Sequence, residues 1–217
     1  MQTIDINIPM GTITLHGELV LPLKAAGLVI FSHGSGSSRF SPRNQWVAKY
    51  LQDRFIGTLL LDLLTVQEDS IYENRFDIDL LTKRLIEATK WAMTNDATRN
   101  LPLAFFGAST GAASALGAAA ILGDTIKAVV SRGGRPDLVL DLLPKVKSPT
   151  LLLVGGLDKA VIDMNKLALE ALNTEKELKI IPGASHLFEE PGKLGEVANE
   201  AVSWFKNHLI KKGKMVL

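Results

Sequence analysis

Six short, largely apolar runs, at 28–31, 59–61, 103–106, 128–130, 151–154 and 178–181, recur along the chain with helix-length segments between them, and only the last is interrupted, by Lys179. Runs of that length without polar alternation suit strands covered on both faces, as in a parallel sheet packed between helices. The intervening segments carry the matching signal. Ile78, Leu81, Leu85, Ala88 and Ala92 recur at spacings of three and four, an apolar stripe beneath a face bearing Lys83, Arg84, Glu87 and Lys90. Leu194, Val197, Ala201 and Trp204 repeat the spacing near the carboxyl end, and the lysines that follow, Lys211, Lys212 and Lys214, read as a solvated helix terminus. Ahead of the first run the pattern differs: Ile4, Ile6 and Ile8 alternate, Pro9-Met10-Gly11 breaks the chain, and Ile13, Leu15, Leu19 and Leu21 alternate again. That reads as an antiparallel hairpin. The expected fold class is therefore α/β, a mostly parallel, doubly wound sheet with an N-terminal antiparallel hairpin and right-handed crossovers. No repeat or linker divides the 217 residues, so 1–217 reads as one domain.

Composition narrows the function classes. A net charge of +1 supplies no bulk attraction to nucleic acid or to a membrane surface. With no cysteine, a thiolate nucleophile, thiolate metal ligation and a disulfide framework are all excluded. The first residues, Met-Gln-Thr-Ile-Asp-Ile-Asn-Ile, lack the basic and apolar blocks of a signal peptide, and no apolar run reaches membrane-spanning length. A cytoplasmic location is the expectation.

One serine stands out. Gly107-Ala108-Ser109-Thr110-Gly111 joins the apolar run at 103–106 to the alanine-rich stretch at 112–122. A G-x-S-x-G turn between strand and helix lifts the serine hydroxyl above the sheet edge, beside backbone N–H groups able to hold an oxyanion. In an open α/β sheet the ligand crevice lies beyond the carboxyl ends of the strands. Polar loops follow four of the runs: Ser32-His33-Gly34-Ser35-Gly36-Ser37-Ser38-Arg39, the serine turn itself, Gly155-Gly156-Leu157-Asp158, and Pro182-Gly183-Ala184-Ser185-His186. Ser109, Asp158 and His186 thus follow separate strands in the chain order of a nucleophile, acid and base. In those roles His186 takes the Ser109 proton and Asp158 holds the imidazole in the required tautomer. The oxyanion donors would be the N–H groups of Thr110 and Ser35.

Each residue also has a plainer role open to it. Ser109 suits a helix-opening turn, Asp158 suits the N-cap of a helix starting near Val161, and His186 suits an ordinary loop. Asp137, Asp163 and Glu189 stand as substitute acids. His33 opens the oxyanion loop and fits orienting it by hydrogen bonding better than acting as base, while His16 lies in the hairpin and His208 in the last helix. The Gly34-to-Arg39 stretch begins like a dinucleotide fingerprint, but Arg39 occupies the place of the third glycine, and no Walker pattern occurs. With no His pair at ligand spacing, no metal is expected.

Taken together, the segments His33 to Arg39 with Ser41-Pro42-Arg43-Asn44, Gly107 to Ala113, Ser131-Arg132-Gly133-Gly134-Arg135-Pro136-Asp137, Gly155 to Asp158 and Gly183 to Pro191 resemble the dienelactone hydrolase-like group of α/β-hydrolases. The resemblance covers nearly the whole chain. It implies the α/β-hydrolase fold, the triad above, a cofactor-free hydrolase, and a small substrate with an ester or related acyl bond. Dienelactone hydrolases proper use cysteine where this chain has Ser109, so lactone specificity does not carry over. Similar domains occur joined to phosphoribosyltransferase-like domains, which leaves the biological substrate open.

Four arginines lie in the loops flanking the expected crevice. Arg132 and Arg135 follow the 128–130 run, and Arg39 and Arg43 follow the oxyanion loop. Converging, they would clamp a substrate carboxylate or phosphate through bidentate bonds; paired with Asp62, Asp137 or Glu189, they would brace the loops instead. The interval between Val130 and Thr150 leaves little sequence for a lid, so no large cap and an open pocket for short acyl groups are expected. Three functions fit the residues. The first is a serine esterase acting on small esters or lactones. The others are a catalytically silent binding module of the same fold, and an acyltransferase or perhydrolase using the same triad. The oligomeric state is open; the apolar Met215-Val216-Leu217 suits either an interface or a tail.

Overall fold

The computed structural model describes residues 3–210. The basic and apolar endings at Lys211, Lys212, Lys214 and Met215-Val216-Leu217 lie outside the described residues. Strands β1 (Thr3–Met10) and β2 (Ile13–Val20) form the expected antiparallel hairpin, in register from Thr3 opposite Val20 to Met10 opposite Ile13. All six apolar runs are strands: β3 (Leu28–Ser32), β4 (Gly57–Leu61), β5 (Leu103–Ala108), β6 (Ile126–Arg132), β7 (Thr150–Gly155) and β8 (Lys176–Ile181). They join the hairpin in one eight-stranded sheet of order β1-β2-β4-β3-β5-β6-β7-β8, parallel from β4 to β8.

The helices are α1 (Pro42–Gln52), α2 (Val66–Asp69), α3 (Ile78–Thr94), α4 (Thr110–Leu122), α5 (Lys159–Ala171) and α6 (Lys193–Leu209). The sheet divides the core in two. Leu81, Leu85 and Ala88 of α3, with Ala115 and Leu116 of α4 and Ala168 of α5, pack on one face. Val47 and Leu51 of α1, with Val197, Ala201 and Phe205 of α6, pack on the other. The stripe expected from Ile78 to Ala92 faces the first layer, with Ile78 itself only partly buried.

Two departures from the sequence expectation have simple causes. The sequence expectation covers the 178–181 run on both faces, yet in β8 only Ile181 is buried, Leu178 is half-buried and Ile180 is 39% exposed. It is the sheet's last strand, with β7 as its single neighbour. Between β4 and α3 the chain also builds α2 and a 3-10 turn at Tyr72–Phe76, opened by a capping box in which Thr65 and Glu68 satisfy each other's backbone N–H groups.

The topology sets the location of the site. From β3 the chain winds to β4 on one side, and then crosses back to β5 on the other. The loops after β3 and β5 therefore part at the point where the winding direction reverses, which opens a crevice at the carboxyl edge of the sheet.

Candidate active site

The turn after β5 is locked by contacts that tolerate only glycine at two positions. A Cβ on Gly107 would lie 2.5 Å from Ala112 Cα, and one on Gly111 would lie 2.2 Å from the Ser32 carbonyl oxygen. These approaches hold the first turn of α4 against the ends of β5 and β3. Between them Ser109 adopts φ 53° and ψ −124°, a conformation costing a residue with a Cβ about 1–3 kcal/mol. Three backbone bonds hold it there. The Ser109 N–H donates to the Arg132 carbonyl at 3.2 Å, and its own carbonyl accepts from Ala112 at 3.0 Å and Arg135 at 3.1 Å.

The loop after β3 packs directly on this turn. A methyl on Gly34 would lie 3.0 Å from Ser109 Cβ. Ser35 donates its backbone N–H to the Thr110 hydroxyl at 2.8 Å, and Thr110 is the first residue of α4, where a backbone N–H has no acceptor within the helix. His33 is buried between these pieces. Its Nδ1 lies 2.9 Å from the Gly34 carbonyl, and its Nε2 accepts the Leu63 N–H at 3.1 Å. That pattern assigns the neutral tautomer with the proton on Nδ1, and burial lowers the imidazole pKa from its ordinary 6.5. The ring thus ties the loop to the end of β4.

Asp158 and His186 meet. Nδ1 of His186 lies 2.6 Å from Oδ2 of Asp158, with the carboxylate largely buried and the imidazole 38% exposed. A Cβ on Gly155 would lie 2.4 Å from the carbonyl oxygens of Ala184 and Ser185, so the two loops run against each other. Asp158 stands at the N-cap of α5, but its side chain makes no capping bond; the histidine takes it instead. Gly133 connects this pair to the serine. It follows Arg132, whose carbonyl holds the Ser109 N–H, and a methyl on it would lie 3.5 Å from His186 Cε1. No hydrogen bond joins the Ser109 hydroxyl to the imidazole, a looseness common before substrate binds. The substitute acids are otherwise engaged: Asp137 binds Arg135, Asp163 binds Lys166 and Glu189 binds Arg43. His16 bonds Asn7 in the hairpin, and His208 bonds the Trp204 carbonyl in α6.

One residue of this region was not singled out from sequence. Glu190 accepts the Ser185 N–H through Oε1 at 3.0 Å, and hydrogen bonding from Ser185 holds its carboxyl below the ordinary value of 4.5. It braces the loop that carries His186. The Ser185-His186-Leu187-Phe188-Glu189-Glu190 spacing carried the signal, but two adjacent glutamates offered no reason to choose one.

The arginines divide. Arg39 forms an ion pair with Asp62 and also gives that carboxylate its backbone N–H at 2.8 Å. Arg135 grips Asp137 bidentately at 2.9 and 2.8 Å, and Arg43 reaches Glu189 at 2.9 Å. These are bracing geometries rather than a convergent clamp. Arg132 alone of the four has no carboxylate: it is 8% exposed, and Nη1 is buried without a partner. Burial, with repulsion from Arg43 as the smaller cause, lowers its pKa to about 10, leaving it charged at neutral pH.

A cleft of about 540 Å³ opens beside the loop after β3, lined by residues 35–38, Phe40, Ser41, Pro42, Arg43 and Asp69. Among the described residues no cluster of three His, Asp or Glu side chains could hold a metal, and no helix is long and apolar enough to cross a membrane.

A sheet of this order, with a strained serine after β5 and an Asp–His pair after β7 and β8, defines an α/β-hydrolase without a large cap. The family model of the dienelactone hydrolase family matches residues 67–209, and the chain belongs to that family. A dienelactone hydrolase from Anabaena variabilis, solved by crystallography, is 54% identical and superposes with a TM-score of 0.93, over 95% of this chain and 98% of that one. A Xanthomonas campestris protein described as an α/β serine hydrolase without lid shares the fold at 21% identity and a TM-score of 0.78, over 98% of this chain and 97% of that one. A Mycobacterium tuberculosis protein that bears the name of a phosphoribosyl transferase is 48% identical over 209 residues, covering 96% of this chain and 47% of the relative. The chain thus spans about half the length of the curated relatives it matches. Family and fold support hydrolase activity.

Proposed function

We propose that this chain is a serine esterase that cleaves small esters through an acyl-enzyme on Ser109, with residues 1–217 acting as one hydrolase domain. The observation that carries the proposal is the 2.6 Å bond between Asp158 and His186, in loops packed around a serine held at φ 53°. In this reading His186 Nε2 removes the Ser109 proton as Oγ attacks the ester carbonyl carbon. Asp158 fixes Nδ1–H and stabilises the imidazolium that forms. The Thr110 N–H stabilises the carbonyl oxygen as it becomes an oxyanion, joined by the Ser35 N–H, which also binds the Thr110 hydroxyl. As the intermediate collapses, the C–O bond breaks and the imidazolium protonates the departing alcohol. Water, deprotonated by His186, then releases the acid and restores the serine. None of these steps calls for a metal or organic cofactor. The phosphoribosyl transferase name of the curated relatives we attribute to the part of those proteins outside the match.

The test is covalent. A fluorophosphonate should label wild type at Ser109, and Ser109→Ala should lose both label and p-nitrophenyl acetate hydrolysis. Asp158→Asn should lower kcat by about 10⁴-fold, whereas Asp163→Asn should leave it within about threefold. Folded protein that neither labels nor turns over would overturn the assignment.

A further inference from the structure

Beside the loop whose Ser35 N–H lies against the serine turn, the 540 Å³ cleft has an unusual lining: hydroxyls, with the two charged side chains that line it, Arg43 and Asp69, each already paired. Ser35 and Ser37 make no side-chain hydrogen bond. The Ser38 and Ser41 hydroxyls accept from Phe40 and Asn44 N–H groups, so each retains its O–H to donate. Asp69 is gripped bidentately by Arg75 at 3.0 and 2.9 Å, and Arg43 is paired with Glu189. Asp62, which lines the adjoining hollow with Ser37 and Ser38, is paired with Arg39. Phe40 projects at the rim, 54% exposed, with the Arg39 guanidinium 4.1 Å from its ring centroid.

We propose that this cleft receives the alcohol half of the substrate, and that this alcohol is an uncharged, polyhydroxylated one, a sugar or polyol. The inference rests on the ester-hydrolase reading and names its substrate class. An anionic group would find no unpaired cation among the residues that line the cleft. A hydrocarbon chain would strip water from the serine hydroxyls without replacing its hydrogen bonds. Vicinal hydroxyls can both donate to and accept from this lining, and the C–H face of a sugar ring suits the face of the exposed Phe40 ring opposite the one that Arg39 covers. The cleft of similar volume at the opposite end of the sheet differs in kind. Leu23, Phe55 and Ile210 line it together with the cations Lys24, Arg54 and Lys206, away from the serine turn.

A series of acetate esters with one acyl group and different alcohols tests this. The kcat/KM for 6-O-acetylglucose and glyceryl monoacetate should exceed that for ethyl acetate and for acetylated glycolate by about tenfold or more. Ser37→Ala with Ser38→Ala should narrow the ratio of sugar-ester to p-nitrophenyl acetate turnover by about fivefold or more. In Ser109→Ala, which cannot turn over, methyl glucoside should shift the NMR signals of Ser37 and Ser38. Hydrolysis of p-nitrophenyl acetate with no preference among the alcohols would overturn the inference and leave the esterase standing. No hydrolysis and no labelling would remove the esterase, and absence of the glucoside shifts would then remove the sugar cleft as well.

Discussion

The backbone N–H of Ser35 donates to the side-chain hydroxyl of Thr110 at 2.8 Å, so the two residues proposed to share an oxyanion are bonded to each other. The bond does two things. It holds the loop after β3 at a fixed distance from the serine turn, and it supplies the Ser35 N–H with an acceptor until a carbonyl oxygen arrives. Thr110→Val keeps the shape and removes that acceptor. Losing an oxyanion donor outright costs about 10²–10³ in kcat, and loosening one costs less, so kcat should fall about tenfold with KM little changed. Thr110→Ser, which restores the hydroxyl, should recover most of the rate. Steady-state kinetics on p-nitrophenyl acetate separates these results, and a rise in KM alone would point to a binding role instead.

His33 makes stability depend on pH in a window of its own. Its folded pKa is lowered by burial from 6.5, so the unfolded chain binds the proton first. Stability is therefore full above 6.5 and is lost as pH falls from there through the lowered folded value, with a slope of at most about 1.4 kcal/mol per pH unit. Glu68 and Glu190, also lowered, have windows that begin near 4.5 and do not overlap the start of this one. Gln can still accept the Leu63 N–H but does not titrate. Urea unfolding of wild type and His33→Gln between pH 7.5 and 5.5 should show wild type losing stability faster. Parallel curves would mean that His33 does not carry the dependence.

Much of this architecture was legible because one physical signal repeated. Short apolar runs mark strands, and all six are strands, the five uninterrupted ones buried in the sheet. The order of Ser109, Asp158 and His186 could likewise be read from loops at strand ends, since topology brings those ends to one edge of the sheet. Other features depend on partners far apart in sequence. The commitment of Arg39 to Asp62 and of Arg43 to Glu189 spans 23 and 146 residues, and no local pattern distinguishes a bracing arginine from a clamping one. The edge position of β8 belongs to the sheet and not to the strand, although Lys179 within the 178–181 run is a local sign of it. Thr65-Val66-Gln67-Glu68 did carry a local signal, the capping box that opens α2, but the helix it starts is too short to show apolar periodicity.

Two glycines should respond very differently to alanine. At Gly111 the added methyl meets backbone oxygens of Ser32 and His33 at 2.2 and 2.5 Å, atoms fixed by the end of β3 and unable to retreat. Gly111→Ala should cost more than about 4 kcal/mol or prevent folding. Gly36 has φ +66° but nothing within 4 Å of the new methyl, so Gly36→Ala should cost only the left-handed backbone penalty, about 1 kcal/mol. Thermal unfolding of the two variants measures the contrast. Equal losses would show that conformation rather than close approach governs the turn.

Arg132 is the residue whose retention stability does not explain. Its guanidinium is charged and buried, has no carboxylate, lies in the field of Arg43, and gains only a distant contact with the Phe106 ring at 6.0 Å. Such a contact is worth about 0.5 kcal/mol, whereas a buried, unpaired charge costs several kcal/mol. Arg132→Met fills a similar volume without the charge, and the backbone carbonyl that holds the Ser109 N–H remains in place. The variant should be more stable than wild type by about 1 kcal/mol or more in urea unfolding, and p-nitrophenyl acetate should still be hydrolysed. A loss of stability above about 2 kcal/mol would instead show that the charge is solvated or paired in the folded protein. In that case the end of β6 holds an anion or ordered water that satisfies Nη1, and Arg132 becomes the one of the four arginines free to contact a substrate.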